Sequence, residues 1–233
     1  MITLLRGNSP FPPVHHALQK PNGLLAMGGD LSTQRLIETY RHGIFPWFNV
    51  GEPLLWWSPD PRMVLYPADF KISRSLRKTL RSRDYEIRVD SAFEDVMYAC
   101  AAPRKNQSGT WVHQDMITAY SQLHALGVAH SVEVWINQEL VGGLYGVSMG
   151  RMFYGESMFS LRPNTSKIAL AHLCAQLQQW GYGMIDCQMN TPHLASLGAR
   201  EIPRTEFIQR LTELIHYPAP QLTWQFDEHE FVA

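Results

Sequence analysis

An acid and an amide lie two positions apart in an otherwise apolar run, Gly183-Met184-Ile185-Asp186-Cys187-Gln188. The run predicts a β-strand, in which side chains alternate between two faces. We therefore expect Asp186 and Gln188 to share a face with Met184, while Ile185 and Cys187 lie on the other. An ionised carboxylate is costly to bury without a partner, so Asp186 either serves a functional site or has a structural partner, such as a cap or a salt bridge.

A second carboxylate repeats this anomaly on a neighbouring predicted strand, residues 151–160. Strict alternation would place Met152, Tyr154, Glu156 and Met158 on one face, so Glu156 lies among large apolar groups. Two carboxylates within apolar strands favour an enzyme. A non-enzymatic RNA-binding module would not explain them.

The elements around these strands predict a mixed α/β (α+β) domain with a central sheet. Three strands, 130–136, 140–149 and 151–160, form an antiparallel meander with a turn at Asn137-Gln138. A helix from Ser166 to Trp180 then connects to the strand at 184–188, and such a crossover places the two strands it joins parallel in one sheet. Further helices are predicted at 71–83, 91–102, 114–126 and 193–197, and this order matches the layout of GNAT-like acetyltransferases.

The N-terminal part, residues 1–62, is dense in Pro, Gly and Trp and predicts a small, irregular domain with one helix, from the N-cap Ser32 to about Arg41. Gly28-Gly29 predicts a turn before that helix. Pro59 and Pro61 exclude a helix and a central strand beside them, so we expect a second domain at 63–233. Of the aromatic residues, Trp47 favours contact with a ligand, whereas Trp56 and Trp57 either contact a ligand or join the two domains.

A basic amphipathic helix is predicted at residues 71–83, where Ile72, Leu76 and Leu80 recur at helical spacing. Its cations, with no acid among them, include Lys71, Arg74, Arg77, Lys78 and Arg81. A solvated surface is the simplest interpretation, but unbalanced like charges favour a polyanion partner. A membrane surface is the weaker interpretation, because the apolar side lacks aromatic residues.

Composition limits the class of protein. The 233 residues are 45% hydrophobic and 18% charged with a formal net charge of −1, which excludes a disordered chain and confines any nucleic-acid binding to a local patch. Three cysteines, without a CxxC pair, argue against a zinc site or a disulfide framework and fit a reducing cytoplasm. No run of apolar residues is long enough for a membrane span or a signal peptide.

Ten blocks across nearly the whole chain resemble one bacterial family, the leucyl/phenylalanyl-tRNA-protein transferases. The blocks are PNGLLAMGGDLS, GIFPWF, LLWWSPDPR, GTWV, AHSVEVW, LVGGLYGV, GESMFS, SKIAL, IDCQ and HLASLGAREIPR. The resemblance implies a small N-terminal domain on a GNAT-like catalytic domain. It also implies transfer of Leu or Phe, and less well Met, from aminoacyl-tRNA to proteins with N-terminal Arg or Lys, which marks them for N-end rule degradation.

The resemblance implies site residues as well. Asp186 and Gln188 match the catalytic pair and Glu156 a substrate-contacting acid. Aromatic contacts to the terminal adenosine match Tyr40, Trp47, Trp111 and Tyr120, and the pocket for the donor side chain matches Leu144, Phe153, Met158, Leu173 and Ile185. The segment MNTPH departs from the family pattern, so no role is carried onto Asn190.

The implied reaction, aminolysis of an ester, needs no metal and no covalent intermediate. We expect Asp186 to orient the attacking amine and relay its proton while the Gln188 carbonyl accepts its hydrogen bond. The alternative enzyme is an N-acetyltransferase, but the segment LRPNTS before the crossover helix lacks the glycines of a CoA-binding turn. We therefore expect no cofactor, and a monomer that acts on aminoacyl-tRNA and acceptor proteins.

Overall fold

The computed structural model describes residues 2–7, 9–82, 84–103, 112–218, 224–227 and 231. The strands in these ranges are β1 (Thr3–Leu5), β2 (Leu24–Gly28), β3 (Phe45–Pro46), β4 (Leu55–Trp57), β5 (Arg62–Leu65), β6 (Glu86–Val89), β7 (Ala129–Ile136), β8 (Glu139–Met149), β9 (Met152–Ser160), β10 (Met184–Gln188) and β11 (Arg200–Ile202). The α-helices are α1 (Thr33–Arg41), α2 (Arg74–Ser82), α3 (Phe93–Ala101), α4 (Gln114–Ala125), α5 (Thr165–Gln179), α6 (Pro192–Ser196) and α7 (Arg204–Ile215). Short 3-10 helices lie at Val14–His16 and Pro67–Asp69.

The described strands form two sheets. One has four strands in the order β1-β2-β4-β3, and the other has seven in the order β11-β5-β10-β9-β8-β7-β6. β7, β8 and β9 form the predicted antiparallel meander, and the turn between β7 and β8 uses Asn137 and Gln138 at φ 52° and 64°, as a two-residue hairpin requires. β10 pairs parallel with β9 after the crossover through α5, as predicted. The mixed α/β order of elements is the one expected for a GNAT-like domain.

The N-terminal part contains short strands that the sequence analysis did not predict. It contains the four-stranded sheet, whose strands are only two to five residues long and carry the Pro and Gly that suggested loops. The predicted helix is present as α1, where the Ser32 side chain accepts a hydrogen bond from the Arg35 backbone N–H. Gly28, which ends β2, and Gly29, which follows it before this helix, have φ 88° and 82°, a conformation that favours glycine.

Proline did not exclude a central strand at the expected boundary. β5 begins directly after Pro61 and lies between β11 and β10 in the seven-stranded sheet. A proline that precedes the first residue of a strand removes no hydrogen bond from the ladder, so the strand forms regardless. β6, β11 and α7 were also missed by the sequence analysis.

The buried apolar residues form two clusters, which we call the first and second core clusters. The first joins the N-terminal sheet and α1 to α3 and α4, and includes Tyr40, Tyr120, Tyr145 and Tyr154. The second joins α2 and α5 to the seven-stranded sheet, and includes Leu144, Phe153, Leu173 and Ile185. The seven-stranded sheet contributes residues to both clusters.

A bulge in β9 overturns the predicted alternation of that strand. Tyr145 of β8 pairs with Ser157 and Gly146 pairs with Gly155, so Glu156 is an extra residue without a partner in this register. One extra residue moves every later side chain to the other face. Met152 and Tyr154 therefore lie in the first core cluster while Met158 packs against the second, and the prediction that these three share one face with Glu156 was wrong.

Candidate active site

A cavity of about 480 Å³ opens between β8, β9, β10, α5 and α6. We call it the central cavity. Its wall consists of Leu144, Tyr145, Phe153, Gly155, Glu156, Ser157, Met158, Leu170, Leu173, Ile185, Cys187, Gln188, Thr191, His193 and Leu194. The structure thus brings together the five residues predicted to line an apolar pocket, which are Leu144, Phe153, Met158, Leu173 and Ile185.

The central cavity lies where β9 and β10 stop pairing. Their parallel register runs from Met184–Met152 to Asp186–Tyr154. β10 then has an irregularity of its own, since the register with β5 shifts between Asp186 and Gln188. With the bulge at Glu156 on the facing strand, both strands depart from regular geometry at the same level. Bulges often re-aim side chains beside active sites, and here they leave Glu156 and Gln188 in the cavity wall.

The predicted shared face of Asp186 and Gln188 was wrong for the same reason. Gln188 has φ 64° and lines the central cavity with Ile185 and Cys187, whereas Asp186 does not line it. The two residues are joined differently, because the Gln188 backbone N–H donates to Asp186 Oδ1 at 2.8 Å. Asp186 therefore helps to hold the backbone of Gln188 in its left-handed conformation.

Glu156 is the buried acid of the central cavity and is only 7% exposed. Its Oε1 accepts hydrogen bonds from the Tyr40 hydroxyl at 2.8 Å and from Gln188 Nε2 at 3.1 Å, and its Oε2 accepts one from the Tyr120 hydroxyl at 3.2 Å. Burial raises the pKa of this carboxyl to about 7, and the nearby Asp186 charge adds to the rise, while the three donors oppose it. Glu156 can therefore exchange a proton near neutral pH.

Tyr40 and Tyr120 are buried behind Glu156, with 1% and 0% of their surface exposed. The two hydroxyl oxygens also lie close to each other, and burial raises the pKa of both well above the ordinary value, so each keeps its one proton and can donate it to the carboxylate. Stacking of a base on either ring would need an exposed ring face, and this structure covers both rings. The expected contact of these two tyrosines with adenosine stays a prediction, whereas their contact with Glu156 is observed.

Asp186 has a structural partner, Arg62. Arg62 Nε donates to Oδ1 at 2.8 Å and Nη2 donates to Oδ2 at 2.6 Å, and neither residue has exposed surface. Arg62 also donates from Nη1 to the Gly43 carbonyl at 3.1 Å, and its guanidinium lies 4.8 Å and 4.5 Å from the ring centroids of Phe45 and Phe207. This pair fixes β10 against β5, α7 and the segment before β3.

The salt-bridge interpretation of Asp186 is thus the observed one. Because both carboxylate oxygens accept bonds from Arg62, and Oδ1 also from Gln188, the expected direct contact of Asp186 with an attacking amine finds no support in this geometry. What the structure does show is the contact of Asp186 with the Gln188 backbone N–H.

Cys187 lines the central cavity beside these groups. Burial raises the pKa of its thiol far above the ordinary range, and the adjacent Asp186 charge acts in the same direction. The thiolate is the nucleophilic form of cysteine, so this environment opposes nucleophilic catalysis by Cys187. Among the described residues, the His, Cys, Asp and Glu side chains form no group of three or more that could hold a metal ion.

The model of the leucyl/phenylalanyl-tRNA protein transferase family matches residues 64–212, and that of its N-terminal domain matches residues 29–60. The chain belongs to this family. A leucyl/phenylalanyl-tRNA–protein transferase from Nitrosomonas europaea is 64% identical over 227 residues, which cover 97% of this chain and 96% of the relative. One from Nitrosospira multiformis is 63% identical over 230 residues, which cover 99% of each. Among solved structures, a GCN5-related N-acetyltransferase from Kribbella flavida has a TM-score of 0.36 and 11% identity, over 69% of this chain and 57% of that one.

The family match confirms the resemblance seen in the ten sequence blocks. Arg62 lies between the two segments that the family models match, and the sequence analysis did not identify it. Its pairing with Asp186 spans 124 positions of the chain, so no local pattern connects the two residues. The one available signal was the need of a buried aspartate for a cation.

The tryptophans of the N-terminal part differ in exposure. Trp56 and Trp57 are buried, and their indole N–H groups donate to the Gly28 and Trp47 carbonyls at 2.8 and 2.7 Å. These contacts favour the structural interpretation for both. Trp47 is half-buried, with its ring 5.4 Å from that of Trp57, and so retains exposed surface for a ligand. Trp111 lies outside the described residues.

The predicted basic helix is present but shorter, because α2 begins at Arg74. Leu76 and Leu80 are buried on its inner side, where the helix packs against α5. The expected cations Lys71, Arg74, Arg77, Lys78 and Arg81 are all exposed, and none of them forms a salt bridge to another described residue. Within the described chain, none of the helices has the length and apolarity that crossing a bilayer requires.

Proposed function

We propose that the protein transfers Leu or Phe, and less well Met, from aminoacyl-tRNA to the N-terminal Arg or Lys of acceptor proteins, and so marks them for N-end rule degradation. The observation that carries this proposal is the central cavity, which is lined by apolar side chains and bordered by Glu156 and Gln188. Its volume falls within the range of small-molecule sites.

The apolar wall suits an uncharged donor side chain. Leu144, Phe153, Met158, Leu173 and Ile185 offer no polar partner from their side chains, so a charged donor side chain would lose its hydration without compensation. Leu, Phe and Met would instead gain by removing apolar surface from water. The wall thus selects the donor side chain first by its polarity and then by its shape.

Glu156 and Gln188 suit the polar groups of the donor. Glu156 can receive the α-ammonium group in its ionised form, with Tyr40 and Tyr120 holding the carboxylate in place. Gln188 donates from Nε2 to Glu156, which leaves its side-chain carbonyl oxygen to accept a hydrogen bond from the attacking amine. This amide oxygen is the group that we assign to the acceptor.

In the reaction, the acceptor amine attacks the ester carbonyl and forms the new C–N bond. The bond from the carbonyl carbon to the ribose oxygen breaks, and the ribose hydroxyl leaves with the proton that the amine loses. An α-amino group has an ordinary pKa of about 7.7–8.0, so on the order of a tenth of the acceptor is already neutral at pH 7. Alignment of amine and ester can supply roughly 7–11 kcal/mol, more than a general base typically adds.

We propose that Asp186 and Gln188 act as one unit in this alignment. Asp186, held by Arg62, binds the Gln188 backbone N–H and thereby fixes the direction of the Gln188 side chain. Positioning, and not proton abstraction by Asp186, is the role that these contacts support.

The exposed cations of α2 suit the phosphates of tRNA, which attract Lys and Arg without regard to sequence. Trp47, together with Trp111, is the candidate for stacking on the terminal adenosine. We further propose that residues 1–62 form the smaller domain and 63–233 the catalytic one, and that the protein acts as a monomer in the cytoplasm without a cofactor.

The experiment is incubation with labelled Leu-tRNA and a peptide that begins with Arg, followed by mass analysis for one added residue. The matched controls are the same peptide beginning with Ala and a reaction with acetyl-CoA in place of the tRNA. Addition of Leu to the Arg peptide alone supports the proposal. A mass shift with acetyl-CoA alone would show an N-acetyltransferase. Equal addition of Leu to both peptides would show that the acceptor need not begin with Arg.

A further inference from the structure

The C-terminal segment 224–227 reaches the back of the central cavity through Trp224. The indole ring lies 5.7 Å from the ring of Phe153, at 35° between the ring planes, and Phe153 is part of the cavity wall. Trp224 also stacks on His130 of β7, at 4.0 Å and 9°, and is only 8% exposed. It therefore belongs to the second core cluster and not to the surface.

Phe153 is confined on a second side by the backbone of β8. A Cβ atom at Gly146 would lie 2.5 Å from Phe153 Cζ, so the ring occupies space that only glycine leaves free. Gly146 and Trp224 thus bound the ring on two sides, and the central cavity borders it on another. Its position therefore sets how far an apolar side chain can enter.

The same segment is tied to the helix that forms the opposite wall. The Asp227 backbone N–H donates to Gln176 Oε1 at 2.7 Å, and Gln176 Nε2 donates back to Asp227 Oδ2 at 3.2 Å. Trp180, at the end of α5, meets Trp224 edge-on at 5.3 Å. Since α5 carries Leu170 and Leu173, the segment contacts both the helix wall and Phe153 of the strand wall.

We propose that Trp224 is a specificity-determining positioning residue, which holds Phe153 in place and so sets the depth of the central cavity for the donor side chain. The proposal rests on the proposed function, because it takes the cavity to be the donor site. Loss of the indole ring leaves space into which Phe153 can move. The cavity then deepens, and the larger Phe donor gains relative to Leu.

The test uses the full chain and compares Trp224→Ala, Trp224→Leu and Trp224→Phe with the wild type. For each variant, kcat/KM is measured with Phe-tRNA and with Leu-tRNA on one Arg peptide. We expect Trp224→Ala to raise the Phe-to-Leu ratio by about 10-fold, the discrimination that one methylene group can bring in an apolar pocket. Trp224→Leu should give an intermediate ratio, and Trp224→Phe should keep the wild-type ratio because a ring remains against Phe153.

Phe231→Ala is the matched control. Phe231 is another aromatic residue of the C-terminal region and packs on His172 of α5, at 4.9 Å between ring centroids. It should leave the Phe-to-Leu ratio unchanged, even where the melting temperature falls.

An unchanged ratio in all three Trp224 variants, or an equal loss with both donors, would overturn the proposal and leave Trp224 a purely structural residue. The same would follow if Phe231→Ala changed the ratio as much as Trp224→Ala. A wild type that transfers neither amino acid would instead overturn the proposed function, and this proposal with it. The wild-type reactions therefore separate the two failures.

Discussion

Arg62 and Asp186 form a two-point ion pair in the interior, with Nε–Oδ1 at 2.8 Å and Nη2–Oδ2 at 2.6 Å. Asp186 in turn binds the backbone of Gln188, which lines the central cavity. An element of the site is thus held by a cation that does not line the cavity. We therefore predict the effect of Arg62 on stability and the effect of Gln188 on transfer separately.

Removing Arg62 should leave an uncompensated buried carboxylate. We expect Arg62→Ala to lower the free energy of unfolding by about 3–5 kcal/mol, the usual cost of breaking a buried pair. The double variant Arg62→Met, Asp186→Leu should lose less than Arg62→Ala alone, because it buries no unpaired charge. Urea denaturation of these variants and of the single variants Arg62→Met and Asp186→Leu measures the losses. If the losses of the two single variants add up to that of the double variant, the pair is not coupled.

The positioning unit of Asp186 and Gln188 should show in the kinetics. We expect Asp186→Asn and Gln188→Ala each to slow transfer by about 10²–10⁴-fold, with little change in tRNA affinity. The double variant should be little worse than the worse single variant, because both changes remove the same alignment. Single-turnover rates measure this. Full activity of Asp186→Asn would contradict the shared role.

Glu156 should make stability depend on pH. Its pKa is raised from 4.5 to about 7 in the folded protein, chiefly by burial, so the folded state binds more protons than the unfolded state between these values. Stability from this group is therefore fully present below about pH 4.5 and is lost as the pH rises through about 7, by up to roughly 3 kcal/mol.

The measurement is urea denaturation of wild type and Glu156→Gln between pH 5 and 8. The free energy of unfolding of the Gln variant should fall less with rising pH than that of the wild type, because its amide does not titrate. Parallel slopes in the two proteins would show that Glu156 is not the group responsible.

The basic helix α2 should control the salt dependence of tRNA binding. Replacing Arg77 and Arg81 with Ala should weaken binding to many tRNAs alike and reduce the slope of log K against log salt by about one unit for each lost contact. Arg210→Ala is the control, since Arg210 is paired with Glu206 at 2.9 Å on α7. A slope unchanged by the α2 substitutions would place the tRNA elsewhere.

Periodicity predicted the elements of residues 129–188 well up to the points where strands become irregular. The meander and the crossover followed from alternation and from the length of the helix at Thr165–Gln179. The face of Met158 and the face of Gln188 were both wrong, because one extra residue at Glu156 and one irregularity before Gln188 reverse the pattern. Such insertions depend on how two strands meet, which a single strand's sequence does not contain.

Local sequence patterns identified some residues of the candidate site and missed others. Glu156 stood out as an acid among apolar residues, and the structure buries it in the cavity wall as that pattern suggested. The five apolar wall residues came from the family resemblance and not from spacing. Neither the local patterns nor the family resemblance identified Arg62 or Trp224, since each contacts a residue far away in the chain.

The bulge at Glu156 is a one-residue insertion, and the pairs on either side of it, Gly155 with Gly146 and Ser157 with Tyr145, are neighbours on β8. Deleting Glu156 would therefore give a regular pleat and leave the side chains from Ser157 to Ser160 on their present faces. Phe159 would stay in the first core cluster and Met158 against the second, while Tyr40 and Tyr120 would lose their shared acceptor. A deletion at this one position would thus remove the carboxylate from the cavity wall and keep the pairing of the sheet, so the acid is an addition to the strand and not a member of its ladder.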